Sequence, residues 1–355
     1  MSFSDKIIGW YKKNKRDLPW RNTKDSYKIW VSEVILQQTR VEYGKPYYER
    51  FLKRFPDIFV LASAREDELL KLWQGLGYYS RARNMLLAAR EIVTGYNGIF
   101  PSSYDEMTGI KGIGKYTASA ILSFANNLPY PVMDGNVKRV ISRYFGITRD
   151  IKSSAGEKLI TEKLAGVFDK KRSADFNQAI MEFGALHCRV KNPECSTCIF
   201  KTGCKAFKTG KVSELPVVSR KIKIKVRHFH YIVPVLKTKR KVYTYIIKRK
   251  SDDIWKHLFQ FPLIETEKKL ATGKLLDSGE FRALLNNGKY RVVRISPVYA
   301  HKLSHQLINA VFIHIRIFED IGGTELIKID LDDLKNYPVS RLTEGFLEQN
   351  KISDF

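Results

Sequence analysis

Two carboxylates and four thiols are the side chains of this chain best suited to chemistry. Glu33 stands in the stretch from Asp25 to Thr39, DSYKIWVSEVILQQT. Wound as a helix, that stretch is apolar around most of its circumference, so it reads as a buried central helix. At about 100° per residue, Glu33 falls between Ile29 and Leu36 on one side and Trp30 on the other. Burial disfavours the ionised form of a carboxyl and raises its pKa, which suits a general acid. A buried glutamate tied to a structural arginine would look the same from this segment alone. Asp134 stands in Pro131-Val132-Met133-Asp134-Gly135-Asn136-Val137-Lys138-Arg139, which reads as loop, N-cap and helix. A helix N-terminus favours an anion, so Asp134 is expected to stay ionised; a simple capping aspartate carries the same signature. Together the two make a protonated acid beside an ionised partner. Cleavage of an N-glycoside needs that pairing, the acid to activate the leaving base and the anion to support an oxocarbenium-like sugar.

The cysteines are spaced Cys188-x6-Cys195-x2-Cys198-x5-Cys204. Tight clustering in one segment reads as a metal site rather than a disulfide framework. Four thiolates can hold a tetrahedral zinc or a cubane iron–sulfur cluster. Only one C-x2-C pair occurs, with longer spacers on either side, and Pro193 helps turn the chain between ligands. Arg189, Lys191, Lys201, Lys205 and Lys208 surround the cluster of cysteines. They could meet phosphates or simply offset the charge of a bound group. A third segment, Ile110-Lys111-Gly112-Ile113-Gly114-Lys115-Tyr116-Thr117-Ala118, is a Gly-x-Gly turn opening a helix. With no Cβ at Gly112 and Gly114 the backbone can approach a phosphate, and the helix start offers free N–H donors. It resembles a helix–hairpin–helix DNA-binding element. A dinucleotide site is disfavoured, because the preceding strand and the full G-x-G-x-x-G are missing.

These groups need elements to position them. The 355 residues point to two domains. A composition 44% hydrophobic and 12% aromatic supplies real cores and excludes a disordered chain. Residues 1–206 read as mainly α, with amphipathic runs such as Asp67 to Trp73, Arg81 to Val93 and Tyr116 to Ala125. Residues 207–226 are polar and basic and read as a linker. Residues 227–355 read as α+β. Strands are expected at Phe229 to Leu236, Val242 to Lys248 and Leu307 to Ile317, and short helices near Glu280 to Leu285 and Arg341 to Gln349. Lys237 to Arg240 is expected to turn the first two strands into a hairpin. With 62 Lys+Arg against 37 Asp+Glu, a formal charge of +25 favours a polyanionic partner, nucleic acid first. No signal peptide and no membrane span is expected, which predicts a soluble, cytoplasmic chain without a membrane partner.

Taken in order, these motifs resemble the MutY-type adenine DNA glycosylases of the endonuclease III and helix–hairpin–helix superfamily, over nearly the whole chain. The segments that carry the likeness are Leu18-Pro19-Trp20-Arg21, Val31 to Thr39, Gly75-Leu76-Gly77-Tyr78-Tyr79-Ser80-Arg81, the Gly112 loop, Met133 to Arg139 and the four cysteines. The resemblance implies a helix–hairpin–helix glycosylase fold with a [4Fe–4S] loop at 188–204, followed by a Nudix-like domain. It implies that Glu33 protonates adenine N7 and that Asp134 stabilises the cationic sugar, with Tyr116 and Asn136 positioning the pair. It puts Arg16, Trp20, Leu36 and Gln178 in the adenine pocket. Gln38, Thr39 and Tyr78 fall among the DNA contacts, Gln38 and Tyr78 as wedges near the oxidised guanine. Base extrusion needs such a plug, since unstacking costs on the order of a few kcal/mol.

Endonuclease III-type enzymes have a nucleophilic lysine where this chain has Tyr116, so a glycosylase without a strong strand-cleaving step is implied. The Nudix-like domain is implied to read 8-oxoguanine in the opposite strand. The glutamate-rich hydrolase box is absent from it. Where the family commonly has Phe-Ser-His, this chain has Leu303-Ser304-His305, with Ser304 and His305 as base contacts. The implied substrate is double-stranded DNA with an A:8-oxoguanine or A:G mispair, acted on by a monomer. The rivals are a pyrimidine glycosylase with lyase activity, a non-catalytic DNA-binding scaffold, and a zinc-stabilised DNA-binding protein.

Overall fold

The computed structural model describes residues 1–219, 224–350 and 352. Contacts divide the chain into two units, Met1–Ser63 with Asn84–Arg220, and Ala64–Arg83 with Lys221–Phe355.

The first unit is helical. Its central helix, Ser26–Leu36, starts where the Asp25 carboxylate accepts from Tyr27 N (2.9 Å) and Lys28 N (3.4 Å). Such a cap satisfies donors that the helix itself cannot. From Ile29 to Ile35 every residue is buried, Glu33 included, as the all-round apolar pattern predicts. Helix Lys115–Asn126 packs on it. Helix Ser173–Leu186 packs on Lys115–Asn126, on Gly135–Phe145 and on Phe3–Asn14. Ile7, Val137, Ile141, Phe176, Ile180 and Phe183 form the core between these helices.

The expected linker is in part something else. Leu215 is buried, its carbonyl accepts from Arg143 Nε at 2.9 Å, and Val217 O accepts from Ile151 N at 3.1 Å. The chain as far as Ser219 is therefore tied down on the helical unit. Residues 220–223 lie outside the described residues. Lys225 and Val226, also assigned to the linker, already belong to a strand.

The second unit holds one eight-stranded sheet: β1 (Lys225–Lys237), β2 (Val242–Lys248), β3 (Phe259–Gln260), β4 (Leu263–Thr266), β5 (Tyr290–Ile295), β6 (Tyr299–Lys302), β7 (Gln306–Ile317) and β8 (Ile327–Asp330). The main order is β3-β2-β1-β7-β5, with β4 on β1, β6 on β7 and β8 on β2. β1 runs parallel to β7 along nearly its full length, which explains why both read as long apolar runs. β1 and β2 form the expected hairpin, closed where Thr238 N donates to Lys241 O. Helices Gly279–Leu284 and Arg341–Gln349 lie where the sequence predicts short helices. The unit is α+β, as expected.

Segment 64–83 groups with this unit, which differs from its expected place in a helical domain 1–206. Its helix Glu66–Trp73 carries groups that bond to the sheet unit. Asp67 pairs with Lys248 (2.6 Å), Glu66 with His257 (2.5 Å), and Gln74 donates to Glu344 (2.7 Å). No helix among the described residues is long and apolar enough to cross a membrane.

Candidate active site

One cavity of about 800 Å³ opens in the helical unit, within the roughly 300–1,000 Å³ range of small-molecule sites. Glu33, Tyr116, Asp134 and Asn136 all line it, and so do Arg16, Trp20, Leu36 and Gln178.

Glu33 comes from the middle of the central helix and is only 7% exposed. Burial, reinforced by the charge of Asp134, pushes its carboxyl up to about 7; the Tyr116 hydroxyl and Arg21 pull the other way without prevailing. That hydroxyl donates to Glu33 Oε2 at 2.9 Å. Burial and the neighbouring carboxylates hold the Tyr116 phenol well above its usual range, so it acts as a donor rather than a phenolate. A glutamate near 7 holds its proton about half the time at neutral pH, which is what a proton donor needs.

Asp134 caps helix Gly135–Phe145 as predicted. Its Oδ1 accepts from Val137 N (2.8 Å) and its Oδ2 from Asn136 Nδ2 (2.6 Å). The cap is not the sole influence on its ionisation. Burial comes first and raises it, while Val137 N–H, Asn136 and Arg139 lower it, and the net direction is upward. A cap inside a cavity wall loses water that a surface cap keeps.

Arg139 sets the orientation of Asn136. Its Nη2 donates to Asn136 Oδ1 (2.8 Å) and to Gly184 O (2.7 Å), and its Nε to Cys188 O (2.8 Å). With Oδ1 occupied by a donor, the Asn136 amide must turn its NH2 to Asp134. Gly184 makes this approach possible, since a Cβ there would stand 2.7 Å from Asn136 Cβ.

Sequence reasoning missed a buried, doubly paired carboxylate of the pocket. Glu182, 1% exposed, accepts from Arg16 (Nε 3.0 Å, Nη2 2.8 Å) and from Arg21 (Nη1 2.8 Å, Nη2 2.7 Å). Burial pushes its carboxyl up, but the bonds from Arg21 and Arg16 prevail and hold it down at about 2. Arg16 therefore meets the cavity already committed to Glu182. Tyr11 donates to Gln178 Oε1 at 2.6 Å, and the Trp20 ring packs edge-on against Tyr48. The signal for Glu182 was present in SADFNQAIMEFGAL, a second glutamate on a largely apolar helix.

Gln38, Thr39, Gly112 and Gly114 line the same cavity. Gln38 is exposed just beyond the central helix, at φ 58°. Gly112, at φ 94°, lies where a Cβ would stand 2.7 Å from Asn84 Cβ, so both conformation and space require glycine. Gly114 caps helix Lys115–Asn126 with open space before it. Tyr78, Ser304 and His305 belong to the other unit and do not line this cavity. Tyr78 is 48% exposed at φ 45°. Ser304 and His305 are exposed in the β6–β7 turn, whereas Leu303 packs against the sheet core.

Cys188, Cys195, Cys198 and Cys204 line a second cavity in the helical unit, with Arg143 and His187. Arg143 Nη1 reaches Cys188 Sγ at 3.5 Å, and Phe200 N donates to Cys198 Sγ at 3.4 Å. Among the described residues, no group of three or more Cys, His, Asp or Glu side chains is arranged to hold a metal ion.

Residues 31–166 match the family model described as HhH-GPD superfamily base excision DNA repair protein. The adenine DNA glycosylase of Buchnera aphidicola subsp. Baizongia pistaciae is 38% identical over 85% of this chain and 83% of its own length. That of Buchnera aphidicola subsp. Acyrthosiphon pisum is 34% identical over 97% of each chain. A solved thermostable thymine-DNA glycosylase matches 58% of this chain and 95% of its own, with a TM-score of 0.53 and 26% identity. With a helical unit of this fold and relatives alike over nearly their full length, the chain belongs to the adenine DNA glycosylases, base excision repair enzymes of the HhH-GPD superfamily that hydrolyse N-glycosyl bonds.

Proposed function

We propose that the enzyme removes adenine from A:8-oxoguanine and A:G mispairs in duplex DNA by acid-assisted hydrolysis. The observation that carries this reading is Glu33, buried in the wall of an open cavity, held near pKa 7 and bonded to Tyr116, with Asp134 in the same cavity. An adenine flipped into the cavity takes a proton from Glu33 at N7, and electrons of the glycosidic bond move into the base. The sugar becomes cationic as the bond lengthens, and Asp134 in its ionised form stabilises it. Asn136 and Tyr116 keep the two carboxyls in place. Trp20 and Leu36 give the base an apolar wall, and Arg16 and Gln178 give it polar edges.

Gln38, Thr39 and Tyr78 occupy the space that the base leaves, Gly112 and Gly114 meet a phosphate, and Ser304 and His305 contact the oxidised guanine from a Nudix-like domain. The enzyme works as a monomer, inside the cell with the DNA. No lysine stands at position 116, so no Schiff base forms there. The four cysteines hold a [4Fe–4S] cluster. The cavity that the four thiols share supports this reading, since four thiolates are the donor set of a cubane. When bound, that cluster ties the 188–204 loop to the helical unit.

The test is adenine release from an A:8-oxoguanine duplex, with strand breaks scored before and after alkali. Free adenine with breaks only after alkali supports the reading. Breaks without alkali, or no adenine from brown, cluster-loaded protein, would sink it.

A further inference from the structure

The exposed turn Leu303-Ser304-His305 is wired to a buried arginine and its carboxylate partners within the sheet unit. Arg227, on β1, is buried. Its Nε and Nη2 donate to the two carboxylate oxygens of Glu265 (2.7 and 2.6 Å), and Nη2 also meets Asp253 (2.7 Å). Its Nη1 donates to Gln306 Oε1 at 3.0 Å. Gln306, the first residue of β7, is buried too. Its Nε2 lies 3.2 Å from His305 Nε2, and His305 Nδ1 lies 3.0 Å from Ser304 Oγ. The backbone clamps the turn, with Leu303 N donating to Gln306 O (2.8 Å) and Lys225 N to His305 O (3.0 Å).

The direction of every bond follows from the first. Guanidinium only donates, so the Gln306 oxygen must face Arg227 and its NH2 must face His305. His305 Nε2 then accepts, which leaves the ring neutral with its proton on Nδ1. That N–H donates to Ser304 Oγ. The serine keeps its own O–H as a donor and one lone pair as an acceptor, both on an exposed side chain. Guanine offers two acceptors on its major-groove edge, O6 and N7. In 8-oxoguanine N7 carries a proton, so the same edge offers an acceptor beside a donor. A hydroxyl with one donor and one acceptor left can use both against the oxidised edge, but only its donor against the normal one.

We propose that Arg227 and Gln306 are positioning residues that fix the His305 tautomer and, through it, the polarity with which Ser304 meets the opposite base. This rests on Ser304 and His305 being that contact, as proposed above. Neither Arg227 nor Gln306 touches the base.

The experiment is nitrogen NMR of histidine-labelled protein at about pH 8, where an ordinary histidine is neutral, with His305 assigned from a His305→Gln spectrum. Wild type is expected to show His305 protonated on Nδ1. Gln306→Leu is expected to move the proton to Nε2. It should also lower the ratio of single-turnover excision from A:8-oxoguanine over A:G by about tenfold, the worth of one hydrogen bond. Arg227→Gln, whose amide can donate or accept, is expected to give both tautomers. A wild-type His305 protonated on Nε2 overturns the proposal, whether or not Gln306→Leu and Arg227→Gln fold. So does a Gln306→Leu protein whose tautomer moves while the ratio stays. Ser304→Ala separates the two readings. An unchanged ratio there removes the base contact itself; a lowered ratio with Gln306→Leu unaffected keeps the contact and removes the relay.

Discussion

Glu33 is a liability to the fold for the same reason that suits it to the proposed role of acid. Its carboxyl sits near 7 in the folded protein and near 4.5 when exposed to water. Between those values the folded state holds more protons than the unfolded one, so stability falls as pH rises from about 4.5 to about 7. A shift of that size corresponds to about 3 kcal/mol. Glu33→Gln, which keeps the shape and can still accept from Tyr116, is therefore expected to be more stable than wild type at about pH 8, by up to ~3 kcal/mol. Denaturant midpoints measured at that pH check this; a variant no more stable than wild type would show that the buried charge costs nothing. Tyr116→Phe acts in the opposite sense. It removes the bond that lowers the Glu33 pKa, so that pKa rises further. Losing the orienting contact is expected to slow single-turnover excision by about tenfold to a hundredfold, as for a hydrogen bond to an ionisable group.

At the scale of elements, the site is a meeting of four helices, which carry Glu33, Tyr116, Asn136 and Glu182, and Gly184 is where the last two touch. Gly184→Ala would push its methyl into Asn136. The expected cost is about 1–3 kcal/mol of stability, with excision falling by about a hundredfold because Asn136 and Asp134 move together. Thermal unfolding and single-turnover rates read the two effects, and a variant as active as wild type would show that Asp134 is placed by its cap alone. The contrast between Glu33 and Glu182 shows what local sequence can carry. An apolar stretch around Glu33 announces its burial, and burial by itself sets the direction of its pKa. Glu182 is as buried, yet its pKa goes down, because Arg16 and Arg21 arrive from a segment more than 160 residues away. Asp134 was legible as a cap, but the water it loses to the cavity wall was not. That Cys188, Cys195, Cys198 and Cys204 come together was legible because their spacing is itself local. The grouping of segment 64–83 with the sheet unit was not, because Asp67–Lys248 and Gln74–Glu344 are tertiary bonds.

At the scale of the whole molecule, a formal charge of +25 makes DNA affinity depend on released counterions. Duplex binding is expected to weaken steeply with salt, by roughly 10³-fold between about 50 and about 200 mM if some six phosphates are neutralised. Binding isotherms across that range check it. A flat dependence would assign the positive charge to solubility rather than to DNA.

The central claim is that Glu33 delivers the proton. The measurement that tests it most directly is the pH dependence of single-turnover adenine release from an A:8-oxoguanine duplex, for wild type and for Glu33→Gln. The account predicts a rate that falls about tenfold per unit on the alkaline side of about pH 7, where Glu33 loses its proton, and no measurable release by the variant. A rate that holds level through that limb, or a Glu33→Gln enzyme that still releases adenine, would contradict it.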